Sequence, residues 1–106
     1  MMIVRSAFLE GTVAVAERAR FDAHMAGPVL AAIGTYPGIR RVRLRRVEQA
    51  DEGSPPNYMV FDLYFDSLDD MNAALASPIR QAVRELIAAG MGPFKGRVYH
   101  QVFREE

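Results

Sequence analysis

The sequence predicts an α+β domain with one four-stranded antiparallel sheet and two helices packed on one of its faces. Two observations lead to this prediction: a stretch with the alternation of a strand, and the order of the elements along the chain. The alternating stretch spans Tyr58–Asp66, where the odd positions are uniformly large and apolar (Met59, Phe61, Leu63, Phe65) and the even positions are mixed (Tyr58, Val60, Asp62, Tyr64). Because successive side chains of a strand point to opposite faces, one face is suited to helices and the other to a partly hydrated contact.

The first third of the chain is predicted to form a strand and a broken helix. Met2–Glu10 is mostly apolar on both faces, with Arg5 and Ser6 as the polar exceptions, and this is typical of a strand inside a sheet. Thr12 is suited to cap a helix that runs to Met25. Pro28 is suited to begin a further helical segment, which ends at Gly34.

The middle of the chain is predicted to form a second and a third strand and the second helix. The second strand, Ile39–Glu48, places three arginines on one face (Arg41, Arg43, Arg45). A polar loop follows, and then the alternating stretch described above forms the third strand. Ser67 is suited to cap the next helix, which restarts at Ser77-Pro78 and ends at Gly90.

The last predicted element is a fourth strand, Phe94–Phe103, followed by residues expected to fray. The order is therefore β-α-β-β-α-β, and two right-handed crossovers arrange it as a ferredoxin-like fold with the first and third strands at the centre. The 106 residues suit a single domain, 1–106, with one core.

Composition excludes several classes of function. The chain has no cysteine, so disulfides, thiolate metal sites and a cysteine nucleophile are excluded. Its formal net charge of zero gives no general attraction to nucleic acid or to an anionic membrane. The arginine-rich second strand also lacks the aromatic stacking platform of an RNA-binding sheet. Without a signal peptide or a transmembrane stretch, we expect a cytoplasmic protein.

The two histidines are the candidate proton-transfer residues. His24 borders the apolar stripe of the first helix, and it either orders the helix break or acts as a general base at the mouth of a cleft. His100 lies between valines in the fourth strand, where it is either a packed sheet residue or a second proton-transfer group. Two histidines without a well-spaced carboxylate do not predict a metal site.

Asp62 is a further candidate, because aspartate is disfavoured inside strands. Cross-strand pairing is expected to bring one of the three arginines of the second strand close to it, with Arg43 as the first choice. The pair is either a structural ion pair on the sheet or a group that anchors and orients a substrate carboxylate or enolate.

Aromatic and apolar residues are the candidate ligand contacts. Tyr58 and Tyr64 are expected on the same face as Asp62, where their hydroxyls either hydrogen-bond a ligand or their rings only pack. Any ligand cleft on the other face is expected to be cut from the core candidates (Phe21, Met25, Phe61, Met71, Phe94).

Several short motifs resemble the EthD (ethyl tert-butyl ether degradation) family. They are Phe21-Asp22-Ala23-His24, Pro28-Val29, Tyr36-Pro37-Gly38-Ile39, and Phe65-Asp66-Ser67 followed by Met71, Ala74 and Ser77. The resemblance implies a dimeric α+β barrel, in which two sheets meet face to face with the helices outside. Relatives in that superfamily include cofactor-free monooxygenases, muconolactone isomerases and haem-dependent enzymes, and EthD proteins are associated with catabolism.

Two functional hypotheses follow. The first is a homodimer, paired through the mixed sheet face, that binds a small organic molecule and acts as a cofactor-independent oxygenase or isomerase. The second is a non-catalytic dimeric module that sequesters or delivers a ligand or supports a partner enzyme. A haem-dependent version is a third idea, although no cofactor fingerprint is present and no tightly held cofactor is expected.

Overall fold

The computed structural model describes all 106 residues and contains one four-stranded sheet with helices on one face. A short π-helical segment, Met25–Val29, joins the first two helices. The strands and helices are β1 Met2–Val13, α1 Val15–His24, α2 Leu30–Ile33, β2 Arg41–Arg46, β3 Asn57–Phe65, α3 Leu68–Leu75, α4 Ile79–Gly90 and β4 Phe94–Glu105. The strand order is β2-β3-β1-β4, and every neighbouring pair is antiparallel. The predicted ferredoxin-like topology, with β1 and β3 central, is confirmed.

The first strand is longer than predicted, and Thr12 does not cap a helix. β1 continues to Val13, and Ala14 precedes α1 without a side-chain capping bond. Gly11 and Gly96 lie opposite each other in the β1–β4 pair. A Cβ on Gly11 would lie 2.8 Å from the Cα of Gly96, so only glycines allow the two backbones to approach this closely. Their close approach lets the β1–β4 ladder continue past the predicted end.

The prediction that Pro28 begins a new helix is wrong. Pro28 lies inside the π-helical segment that keeps the first helical region continuous. Proline lacks an amide proton and disturbs the preceding turn, and a π-bulge is one way to accommodate such a disturbance.

The second helical region also breaks differently from the prediction. The predicted cap at Ser67 is confirmed, since its Oγ accepts a hydrogen bond from the amide of Asp70 (3.1 Å). Ser77, however, does not cap α4. Its hydroxyl donates to the carbonyl oxygen of Ala74 (2.6 Å), and it therefore closes the end of α3.

The core lies between the helices and the apolar face of the sheet. Its most deeply buried large side chains include Phe21, Met25, Met59 and Phe65. Phe21 stacks on Phe94 with ring centroids 5.9 Å apart. All five predicted core candidates are buried (Phe21, Met25, Phe61, Met71, Phe94). None of the helices has the length and apolar character needed to cross a membrane.

Candidate functional site

The main cavity, of about 510 Å³, lies between α4 and the apolar face of the sheet over β1 and β4. This volume falls within the range of small-molecule sites, roughly 300–1,000 Å³. On the sheet side it is bounded by short side chains such as Ala7 and Val98, and on the helix side by Val83 and Ile87. Val98 is 42% exposed on β4, so the cavity opens towards that edge of the sheet.

The walls of the cavity are mostly apolar. Leu9, Phe61 and Leu63 line it from the sheet, and Met25 and Ile33 line it from the first helical region. All five are buried members of the core. The cavity is therefore continuous with the core and is suited to an apolar molecule.

Five polar side chains from different elements face the cavity. Arg5 comes from β1, Tyr36 from the segment after α2, Arg80 and Arg84 from α4, and His100 from β4. Tyr36 is only 7% exposed, and its side chain lines the cavity. The ion pairs of the chain involve other arginines (Arg20, Arg40, Arg45, Arg46, Arg97). No aspartate or glutamate lines the cavity.

These groups shift one another's pKa values. Burial lowers the pKa of His100, and the positive charges of Arg5 and Arg80 lower it further. Burial raises the pKa of Tyr36, against the opposing effect of Arg80 and its neighbours. Burial and the charge of Arg80 lower the pKa of Arg5. The imidazole of His100 is consequently neutral at pH 7 and able to accept a proton.

His24 lies outside this cavity and connects α1 to α4 through a hydrogen bond. Its Nε2 donates to the carbonyl oxygen of Leu86 (2.8 Å). Its ring also lies against Gly90, where a Cβ would come within 2.6 Å of Nε2. Because this nitrogen carries the donated proton, it is not the basic atom of the ring. The contact instead fixes the position of the helix that forms one cavity wall.

Asp62 lies on the opposite face of the sheet, where Arg45 rather than the predicted Arg43 pairs with it. Ser6 Oγ donates to Oδ1 (2.6 Å) and Arg45 Nε donates to Oδ2 (2.6 Å). Arg43 is the register partner of Asp62, but its guanidinium lies over the ring of Tyr64, 5.9 Å from the centroid. A long side chain leans along its strand, so the arginine two residues further along reaches the carboxylate instead.

The environment of Asp62 favours its charged form. Burial acts to raise its pKa, but the hydrogen bonds from Arg45 and Ser6, with the charge of Arg43, outweigh burial and hold the pKa below its usual range. The carboxylate is 3% exposed. It thus lies in an internal ion pair of the sheet, on the far side from the cavity.

Tyr58 is on the helix-covered face, contrary to the prediction that it lies beside Asp62. The β1–β3 register pairs Leu9 with Met59 but Glu10 with Asn57, so Tyr58 is the extra residue of a β-bulge. Its hydroxyl donates to Asp22 Oδ1 (2.6 Å), and its ring packs edge-on against Phe21 with centroids 5.7 Å apart.

The predicted site residues therefore fall into three groups. His100, Met25 and Phe61 line the cavity. A second group lies on the same side of the sheet but outside the cavity lining (His24, Phe21, Phe94, Tyr58). A third group lies on the other face (Asp62, Arg43, Tyr64).

Sequence reasoning missed four polar residues of the cavity. Arg5 interrupts an otherwise apolar central strand, and this was the available signal. Arg80 and Arg84 are one helical turn apart, so they share a face of α4. Tyr36 was named only as part of a family-like motif, and nothing in its local sequence indicates that its side chain lines a cavity. No group of three His, Asp or Glu side chains is placed to hold a metal ion.

Comparison with solved structures relates this arrangement to known proteins. An EthD family protein from Bacillus halodurans C-125 superimposes with a TM-score of 0.80 at 18% identity, covering 100% of both chains. The chain has the ferredoxin-like fold. SnoaB from Streptomyces nogalater, described as a cofactor-independent oxygenase, gives a TM-score of 0.66 at 19% identity, over 99% of this chain and 93% of that one. The resemblance to the EthD family that the sequence predicted is confirmed at the level of the fold.

A third relative is a dimeric ferredoxin-like protein of unknown function from Jannaschia sp. CCS1. It matches with a TM-score of 0.66 at 17% identity, over 99% of this chain and 100% of that one. No protein-family model matches the chain, and no curated protein matches it in sequence.

Proposed function

We propose that the cavity binds a small, mostly apolar organic molecule and that His100 removes a proton from it, as the first step of an isomerisation or an oxygenation without a tightly held cofactor. The observation that carries the proposal is the position of the His100 imidazole in the lining of an apolar cavity of about 510 Å³, where burial and two arginines lower its pKa. A general base is most effective when it is unprotonated at the working pH and within reach of the bound molecule.

The two reaction types share this first step. Removal of a proton from a carbon next to a carbonyl leaves an enolate, and the histidine becomes an imidazolium. An isomerase returns the proton to a different atom, whereas a cofactor-independent oxygenase lets the carbanion react with dioxygen. The fold shared with SnoaB supports the second possibility by analogy only, because one fold supports many activities.

The test begins with a thermal-shift screen of neutral aromatic ketones, phenols and aromatic acids. Hits are then incubated in D₂O, and NMR follows exchange of their acidic C–H protons. We expect exchange with the wild-type protein and a loss of about 10²-fold or more in His100→Gln, the usual contribution of a general base. Arg20→Gln, a change at an exposed residue of α1, is the matched control. Unchanged exchange in His100→Gln would refute the role of this residue.

A non-catalytic carrier is the second candidate, favoured by one feature of the site. No carboxylate faces His100 to orient its ring, as the third member of a catalytic triad does. Such a carrier would bind hits from the same screen and show no proton exchange, no isomerisation and no oxygen uptake with any of them.

We also propose that two copies pair through the sheet face that carries Asp62. Phe103, 44% exposed, packs at the edge of Phe8, which stacks on Tyr99, so an aromatic patch lies on this face. On this face the ring of Tyr64 is already covered by Arg41 of the same chain, whose guanidinium carbon lies 4.3 Å from the ring centroid. Solved relatives described as dimeric support the pairing. Sedimentation equilibrium that shows only monomer at micromolar concentration would contradict it.

A further inference from the structure

The charged side chains that line the cavity are all positive. Three arginines face it, and none forms an ion pair with an acidic residue of the chain. Arg80 Nη1 donates to the carbonyl oxygen of Leu75 at 3.4 Å, a long hydrogen bond that leaves its other donors free. Partly buried like charges beside an apolar wall repel one another, and a bound anion offsets both this repulsion and the cost of burial.

The positive groups converge on one region of the cavity. Arg5, Arg80, Tyr36 and His100 line the same cavity although they come from different elements. The charges of Arg5 and Arg80 act to lower the pKa of both His100 and Tyr36. The hydroxyl of Tyr36, whose side chain also lines the cavity, adds a neutral donor. Two guanidiniums and a hydroxyl are a donor set suited to a carboxylate.

We infer that the ligand of this cavity is an organic anion, a carboxylate on an apolar ring or branched body, with its acid group between Arg5, Arg80 and the hydroxyl of Tyr36. The inference rests on the proposed function and names the class of molecule that this function acts on. The apolar body lies against Leu9, Phe61 and Val83, which are buried and carry no charge.

This arrangement links binding to proton uptake. Arg5 and Arg80 lower the pKa of His100, and an anion between them offsets part of their charge. The pKa of His100 is therefore higher in the complex than in the free protein. By linkage, the affinity for the anion rises as the pH falls through the range in which His100 titrates. The other charged and titratable groups that line the cavity with His100 come from β1, the segment after α2 and α4 (Arg5, Tyr36, Arg80, Arg84).

The experiment compares cinnamate with cinnamamide, which have the same shape but differ in charge, by isothermal titration calorimetry. The variants are Arg80→Gln, Arg5→Gln and the control Arg20→Gln. We expect cinnamate to bind the wild type more tightly than cinnamamide does. Loss of either cavity arginine is expected to weaken cinnamate binding by about tenfold or more, as charge-assisted hydrogen bonds do, and to change cinnamamide binding by less than about twofold.

A second measurement separates ligand binding from a general loss of structure. Titration in two buffers of different ionisation enthalpy reports the protons taken up with cinnamate near pH 6, and this uptake should vanish in His100→Gln. Arg80 is at the surface of a helix, so Arg80→Gln keeps the test valid if Arg5→Gln does not fold.

Equal or tighter binding of cinnamamide would overturn the inference and leave the proposed function standing, since a neutral molecule would then be the ligand. Competition of cinnamate by inorganic phosphate alone at equal concentration would also overturn it, because the apolar body would then contribute nothing. If neither cinnamate nor any compound of the thermal-shift screen binds, the inference and the proposed function both fail.

Discussion

Substitution of Gly90 by alanine tests the contact that fixes α4. The new Cβ would lie 2.6 Å from Nε2 and 2.9 Å from Cγ of His24, well inside van der Waals contact. The ring must therefore move, and the hydrogen bond from Nε2 to the carbonyl oxygen of Leu86 is lost.

The magnitude follows from three contributions of known size. Loss of the hydrogen bond costs about 0.5–1.5 kcal/mol, and overpacking costs about 1–3 kcal/mol. The better helix propensity of alanine offsets about 1 kcal/mol of this loss. We expect Gly90→Ala to lower the free energy of unfolding by roughly 0.5–3.5 kcal/mol, measured by urea denaturation followed by circular dichroism.

A double-mutant cycle isolates the contact with the ring. In the His24→Ala background the space beside position 90 is open, so Gly90→Ala should there be neutral or stabilising by up to about 1 kcal/mol. An equal loss of stability in both backgrounds would show that the ring of His24 is not what makes glycine necessary. A matched control is Ala89→Gly, an exposed position of the same helix, which should cost about 1 kcal/mol in either background.

Three further predictions concern the sheet and the cavity. Arg45→Gln should lower the free energy of unfolding by about 1 kcal/mol more than Arg43→Gln in urea titrations, because Arg45 and not Arg43 bonds the buried carboxylate. The exposure of Arg45 itself limits the loss. Equal losses in the two variants would contradict the assigned pair. The pKa of Asp62 is lowered in the folded state, so its stabilising contribution is present above the unfolded-state pKa and is lost as the pH falls through the folded-state pKa. Asp62→Asn should therefore flatten the acid limb of the curve of unfolding free energy against pH. An unchanged acid limb would argue against the lowered pKa. The pKa of His100 is also lowered, so the unfolded chain binds its proton first and stability falls as the pH drops below about 6.5; His100→Gln should reduce that fall in thermal melts between pH 7.5 and 5, whereas a larger fall would reverse the assigned direction.

The sequence was sufficient for the topology because its strongest patterns are local. The alternation through Phe61 and Leu63 assigns a strand and its buried face, and Ser67 marks a helix start that the structure confirms. The bulge at Tyr58 was not predictable, since it depends on how a neighbouring strand pairs after a long loop. One inserted residue was enough to move that tyrosine to the other face.

The cavity was only partly predictable for a similar reason. Its apolar wall follows from the same alternation that gives the core, so Met25 and Phe61 could be named in advance. Its polar groups come from β1, α4, β4 and the segment after α2, and only the tertiary fold brings Arg5, Tyr36 and Arg80 together. The ion pair of Asp62 shows the same limit at short range, because the strand register names its opposite residue but not the direction in which a long side chain leans.

The carboxylate of Asp62 joins three strands at one point, since its hydrogen-bond partners come from β1 and β2 while it belongs to β3. A shift of β2 by one residue would turn Arg41, Arg43 and Arg45 away from this face and break the bond between Arg45 and the buried carboxylate. The native register of β2 is thereby stabilised relative to a shifted one. One acidic side chain thus helps to specify how three strands align.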